Sequence, residues 1–138
     1  MFKQICISFL LLLIGAMIYI IYRPNVYFLM CFPIELLEKI KVDIDYANCS
    51  IGTYFFIFCL PDSLWYASLL IFQSALYERQ KIAIFLFSLS VFLPFIYELL
   101  QKIGIVAGTF DIMDLFTYLL TLIIVLLCQR KHFFHLLH

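Results

Sequence analysis

The stretch Tyr97–Tyr118, YELLQKIGIVAGTFDIMDLFTY, decides how this chain folds. It joins two long apolar runs through a short segment that holds Gly104 and Gly108. Glycines at that position mark a loop between helices. The same stretch carries three carboxylates, Glu98, Asp111 and Asp114, in surroundings that are otherwise almost free of charge. Acid in such a place needs a physical reason.

The whole chain has the same apolar character. Of its 138 residues 66% are hydrophobic and 13% charged, against about 45–50% and about 25% in a typical soluble domain. A water-exposed surface cannot absorb that excess, so the composition is that of an integral membrane protein. Nine basic and nine acidic residues leave a formal net charge of zero. The basic footprint of a nucleic-acid binder is missing. The five cysteines show no CxxC or other metal spacing and read as small apolar residues. Cys31 and Cys49 could both lie outside the bilayer and pair, which spacing alone does not decide.

An all-α polytopic fold follows, with four transmembrane helices in one membrane domain over residues 1–138. The expected spans are 4–22, 61–78, 82–101 and 111–128. Gln4–Tyr22 is free of charge, flanked by Lys3 and Arg23-Pro24, and long enough for one crossing. Its length and the lack of a small-x-small site favour a retained helix over a cleaved signal. Residues 26–59 form an interfacial or re-entrant segment. Within it, Pro33–Lys41 has Ile34, Leu37 and Ile40 on one side and charges mostly opposite, as in a helix lying on the interface or packed on its own protein. Asp43-Ile44-Asp45 has the DxD form that holds a cation in sugar-nucleotide enzymes, but reads more simply as two solvated loop acids. Asn48-Cys49-Ser50 fits the glycosylation sequon, a triplet that chance supplies easily.

The second helix is expected to start near Pro61, because proline suits a first turn and Asp62 there favours the positive end of the dipole. Ile51–Cys59 is then a shallow approach, while a rival register of 53–72 puts Asp62 near mid-membrane. Pro94 interrupts the third span and frees the Ser90 carbonyl one turn back. With Lys3, Arg79, Lys81, Arg130 and Lys131 on one side and Arg23, Lys39, Lys41 and Lys102 on the other, the positive-inside rule leans toward both termini in the cytoplasm, for a multi-pass protein of the cell (inner or plasma) membrane.

Counting from those basic anchors accounts for the acids. Asp62 is seventeen residues from Arg79, Glu98 seventeen from Lys81 and Asp114 sixteen from Arg130. At 1.5 Å per residue each acid sits about 24–26 Å from its own anchor. Three helices thus carry a carboxylate to one depth near the opposite face. Glu98 and Gln101 share a helix face, as do Asp111 and Asp114, with Thr117 and Tyr118 continuing nearby. A carboxylate turned to acyl chains is expensive, so these faces point inward. Asp111 also reads as a helix N-cap, and Asp114 and Asp62 as first-turn acids. Glu98 sits at a helix C-terminal end, where the dipole disfavours it. Lys102 could neutralise part of the cluster.

Glu98-xx-Gln101, a short glycine-containing loop and Gly108-Thr-Phe-Asp111-xx-Asp114 before a last helix resemble the VanZ-like family of small bacterial membrane proteins. The likeness covers roughly residues 94–121. It is a divergent one: members often carry Arg, Asn and Gly where this chain has Gly108, Tyr118 and Thr121. The resemblance implies a cell-envelope protein of the kind associated with resistance to the glycopeptide antibiotic teicoplanin.

Three functions compete. The first is a non-enzymatic protein that binds a polar or cationic group, such as an envelope lipid head group, at Glu98, Gln101, Asp111, Asp114 and Asp62, with no metal and no cofactor. The second is a membrane enzyme using Glu98 and Asp114 as acid and base or as metal ligands. Against it, there is no Ser/His/Asp or HExxH arrangement, and His132, His135 and His138 all fall in the tail. The third is a small subunit or assembly factor whose acids pair with a membrane-protein partner.

Overall fold

Helix α1 (Phe2–Tyr22) is apolar on all sides, and its few buried residues, Ser8, Gly15 and Ile18, are small or line one face. That face packs on a second helical rod, in the manner of membrane helices whose small residues let backbones come close. In the computed structural model, which describes residues 2–23, 39–42, 44, 48–80 and 84–129, the rod begins with α2 (Ile51–Tyr54), widens into a π-helical turn (Phe55–Cys59) and continues as α3 (Leu60–Gln80). Then come α4 (Ile84–Lys102) and α5 (Ile112–Cys128). The described residues are helical or irregular, with no strand among them. The all-α class stands.

Three helices, Phe2–Tyr22, Ile51–Leu76 and Phe85–Lys102, are long and apolar enough to cross a membrane, and α5 is an apolar helix of shorter length. Large side chains such as Phe9, Leu10, Phe92 and Leu127 stand exposed around the bundle. In water such a surface would aggregate. Against lipid it is the ordinary outer face of a membrane bundle.

Helix α3 is the hub and packs against α1, α4 and α5. On the α1 side, Trp65 Nε1 donates to Leu12 O at 3.2 Å and Ser68 Oγ to Ser8 O at 2.7 Å. On the other side, Tyr66, Leu70 and Val125 form the buried core. Tyr66 of α3 meets Phe95 of α4 and Tyr118 of α5 edge-on, with ring centroids 6.4 and 5.6 Å away. At one end of the bundle, Ser74 Oγ bonds the Gln129 carboxamide and Ser90 Oγ lies 2.6 Å from that of Gln73. The order of these contacts makes α3, α4 and α5 run alternately up and down.

Pro94 lies inside its helix, as expected, whereas the turns ahead of Pro61 differ from expectation. α3 begins at Leu60, next to Pro61, but the rod it belongs to starts earlier, through the stretch expected as a shallow approach. It is already helical at Ile51, where the Ser50 hydroxyl caps Thr53 N at 3.2 Å, and Asp62 lies inside a continuous rod. The π-helical turn makes this affordable to the backbone, since Leu60 N–H reaches back to Phe55 O. Side chains take up the neighbouring carbonyls: Arg23 Nη2 donates to Phe58 O at 2.8 Å and Ser63 Oγ to Cys59 O at 2.8 Å. Near Pro94 the carbonyl that gains an outside donor is that of Val91, from Tyr66 OH at 2.9 Å, rather than that of Ser90. Phe58 and Val91 each lie three residues before a proline and Cys59 two, on the turn that the ring disturbs.

Several expectations lie outside the described residues: most of the helix proposed at 33–41, the Asp43/Asp45 pair, Cys31 and its pairing, and His132, His135 and His138. The anchors Lys81, Arg130 and Lys131 are also outside them, as is the side chain of Arg79. Val42 N donates to Ile21 O at 3.0 Å, so the chain is back at the end of α1 before the rod begins.

A Cβ at Gly15 would come within 2.7 Å of Trp65 Nε1 and 3.1 Å of Pro61 O. Gly15→Val is therefore expected to destabilise the detergent-solubilised protein by about 1–3 kcal/mol, the usual cost of overpacking. Met17→Leu on the lipid face should stay within about 0.5 kcal/mol. Unfolding titrations of the two variants check this.

Candidate functional site

The end of the bundle opposite Ser74 and Gln129 collects the acids. The alternation of α3, α4 and α5 brings the start of α3, the end of α4 and the start of α5 to one level, and the end of α1 joins them. Asp62, Glu98 and Asp111 all lie within electrostatic range of Asp114. Each acid has its own surroundings.

Asp62 is paired. Its Oδ2 is 3.0 Å from Arg23 Nη2, and both side chains are 21% exposed. The guanidinium also lies over the Tyr19 ring, 4.4 Å from its centroid. Asp62 lies in the first turn of α3, as expected, but helical turns precede Leu60, and the partner that balances its charge is Arg23.

Asp111 is the N-cap of α5, as one of its two sequence readings holds. Its backbone is extended, and its Oδ1 accepts from Met113 N at 2.8 Å. The other oxygen accepts from Tyr54 OH at 2.6 Å, which ties α2 to α5. Asp111 N in turn donates to Glu98 Oε2 at 3.3 Å. Glu98 is 4% exposed, the most buried carboxylate among the described residues.

Asp114 lies in the first turn of α5, where the dipole favours an acid. Its Oδ1 is buried with no hydrogen-bond partner. Thr117 Oγ1 donates to Asp114 O at 2.9 Å. Gln101 turns toward the loop. Its Nε2 donates to Ala107 O at 3.5 Å, and its Oε1 is buried without a partner. Gly108 has φ 137°, and the Gln101 amide occupies the space that a side chain there would need. Buried polar atoms without partners are uncommon in folded proteins and call for a ligand, an ion or water.

Lys102 is placed apart from the expected role of neutralising the cluster. Its Nζ lies over the Phe110 ring, 5.0 Å from the centroid. Among the described residues the ion pair at this level is that of Arg23 with Asp62. One acid is balanced by a cation, and Glu98, Asp111 and Asp114 remain. Groups of three or more His, Cys, Asp or Glu arranged to hold a metal are not found among the described residues.

Sequence reasoning put Arg23 on the correct face but left it unpaired. Its position directly after the first charge-free run was a usable signal, because that depth matches Asp62. Tyr54 and Cys59 offered none, since both fall where a shallow approach was expected instead of helix. Removing Arg23 would leave Asp62 without its partner. Arg23→Ala is expected to cost about 1–3 kcal/mol, the usual penalty for an unsatisfied buried polar group, and Arg23→Ala/Asp62→Ala should recover part of it. A double-mutant cycle by thermal unfolding in detergent measures the coupling; additive losses would mean that the pair contributes nothing.

Compared with family models, curated proteins and solved structures, the chain matches none.

Proposed function

We propose that this chain is a multi-pass, VanZ-like protein of the bacterial inner membrane, non-enzymatic, whose acidic layer binds a polar or cationic group such as an envelope lipid head group. The observation that carries the reading is the state of Glu98 and Asp114. Glu98 is buried at the unfavourable end of α4 with a backbone amide as its bonded neighbour. Asp114 beside it has a buried oxygen without a partner. Carboxylates held this way, with one arginine already committed to Asp62, suit a ligand that brings positive charge or hydrogen-bond donors. Gln101, with its own unpartnered Oε1, is the neutral member of the set.

Asp111 contributes through the fold, since its oxygens are engaged by Met113 N and Tyr54 OH. The positive-inside lean supports cytoplasmic termini, which puts the acidic layer near the outer leaflet. That is the side from which envelope precursors and glycopeptides are met, and it agrees with the family likeness of residues 94–121.

Native mass spectrometry of the full chain released from lipid nanodiscs tests the proposal. A lipid-sized adduct is expected on the wild type and lost in Glu98→Gln and Asp114→Asn, with membrane abundance of both variants unchanged. Disappearance of both variants from the membrane fraction would make the acids folding determinants and end the site reading. Loss of a bound divalent metal in Glu98→Gln would favour the enzyme instead.

A further inference from the structure

A groove of about 340 Å³ runs between α3 and α4, beside the acidic layer. On α3 its lining reaches from Asp62 to Leu69, and on α4 from Leu93 to Tyr97. At 1.5 Å per residue, the α3 side gives it a length of about 10 Å along the helix axis. The walls are mostly carbon, and the Tyr66 hydroxyl within them is committed to Val91 O. The volume is at the lower end of the range for small-ligand sites, roughly 300–1,000 Å³.

These walls carry no net charge. Asp62 is the one carboxylate among the lining residues, and Arg23 balances it at 3.0 Å. An ion entering here would give up its water with no counter-charge to replace it, which is costly. Water itself needs about two to four polar partners, whereas the walls are mostly carbon. Hydrocarbon gives up nothing and gains dispersion contact along every wall, contact that an empty groove forfeits. The occupant that fits is an uncharged aliphatic chain.

The fold also sets where that chain comes from. Leu93 and Tyr97 are 52% and 47% exposed, and Leu89, Phe92 and Ile96 continue the exposed face along α4. The groove is therefore continuous with the surface that meets lipid, and its long axis follows the helices, as acyl chains do. At the Asp62 end, Tyr97 directly precedes Glu98, and Tyr118, also in the lining, lies within electrostatic range of Glu98 and Asp114. We propose that the groove seats the upper part of one acyl chain of a membrane lipid, with its head toward the acidic layer. This deepens the acidic-layer reading and rests on it for the position of the head, adding that the ligand is an acyl lipid held by its tail as well.

The chain has a single tryptophan, Trp65, and it lies in this wall three residues beyond Asp62. Its fluorescence in phosphatidylcholine nanodiscs reads the seat. Phosphatidylcholine brominated on the upper acyl chain is expected to quench it in proportion to its share of the bilayer, as one exchanging chain would. Bromines at the chain end should quench less. Leu69→Phe fills the groove and should remove most of the quenching by upper bromines. Leu93→Phe, at the exposed mouth where folding is not at risk, should lower it as well. Leu86→Phe, exposed at the other end of α4, should leave it unchanged. Stronger quenching by the terminal bromines, or wild-type quenching in both groove variants, overturns the proposal. So does a native mass spectrum in which the wild type is a dimer and Leu69→Phe a monomer, since a second copy would then fill the groove. If Glu98→Gln loses the lipid adduct while Leu69→Phe keeps both adduct and quenching, the groove is rejected and the acidic site survives. If Glu98→Gln and Asp114→Asn keep the adduct and the quenching that Leu69→Phe loses, the chain seat stands and the acidic reading falls.

Discussion

The contact of Arg23 with Asp62 and the Phe58 carbonyl is the constraint on which the rest of the structure depends. One guanidinium nitrogen meets a carboxylate at 3.0 Å and a backbone oxygen at 2.8 Å. Both acceptors would be costly in a bilayer without a donor. By serving them together, Arg23 lets the rod run through Pro61 and joins the end of α1 to α3. The close approach at Gly15 and Trp65 continues that junction along α1. Arginine suits this role because its planar guanidinium can lie face-on over Tyr19 while one of its –NH2 groups donates to both acceptors.

Lipid gives no hydrophobic reward for pressing one apolar helix on another, so packing and polar contacts determine which faces meet. The bundle has such contacts at both ends. Ser74 with Gln129 and Gln73 with Ser90 hold one end. Tyr54, Asp111 and Glu98 hold the other. Between them, Tyr66 does the work of two residues, with its ring in the core against Phe95 and Tyr118 and its hydroxyl on the Val91 carbonyl. The polar ends fix the register of the helices, and the aromatic middle sets their spacing.

At the acidic end, structural and chemical roles divide among residues that look alike in sequence. Asp111 is occupied as a cap, and Asp62 as a partner of arginine. Glu98 and Asp114 are less completely engaged. The division follows from position: an extended residue ahead of a helix finds backbone donors, whereas a side chain on an inward helix face finds only what neighbouring helices present.

In the sequence alone, the apolar surroundings and the all-helical class were legible, together with an expected common level for the acids. Charge-free runs can be counted, a helix advances 1.5 Å per residue, and a shared depth follows from separations along the chain. The glycines at 104 and 108 marked the turn into α5, and Asp111 was legible as its cap because capping is local. Tertiary structure decided that the rod is continuous through Pro61, that Arg23 belongs to Asp62, and that Tyr54 reaches Asp111. Each of these depends on which side chain a different helix turns toward the site. Rotation about a helix axis and donors from distant residues leave no periodic trace in the chain, so they appear only once the helices are packed.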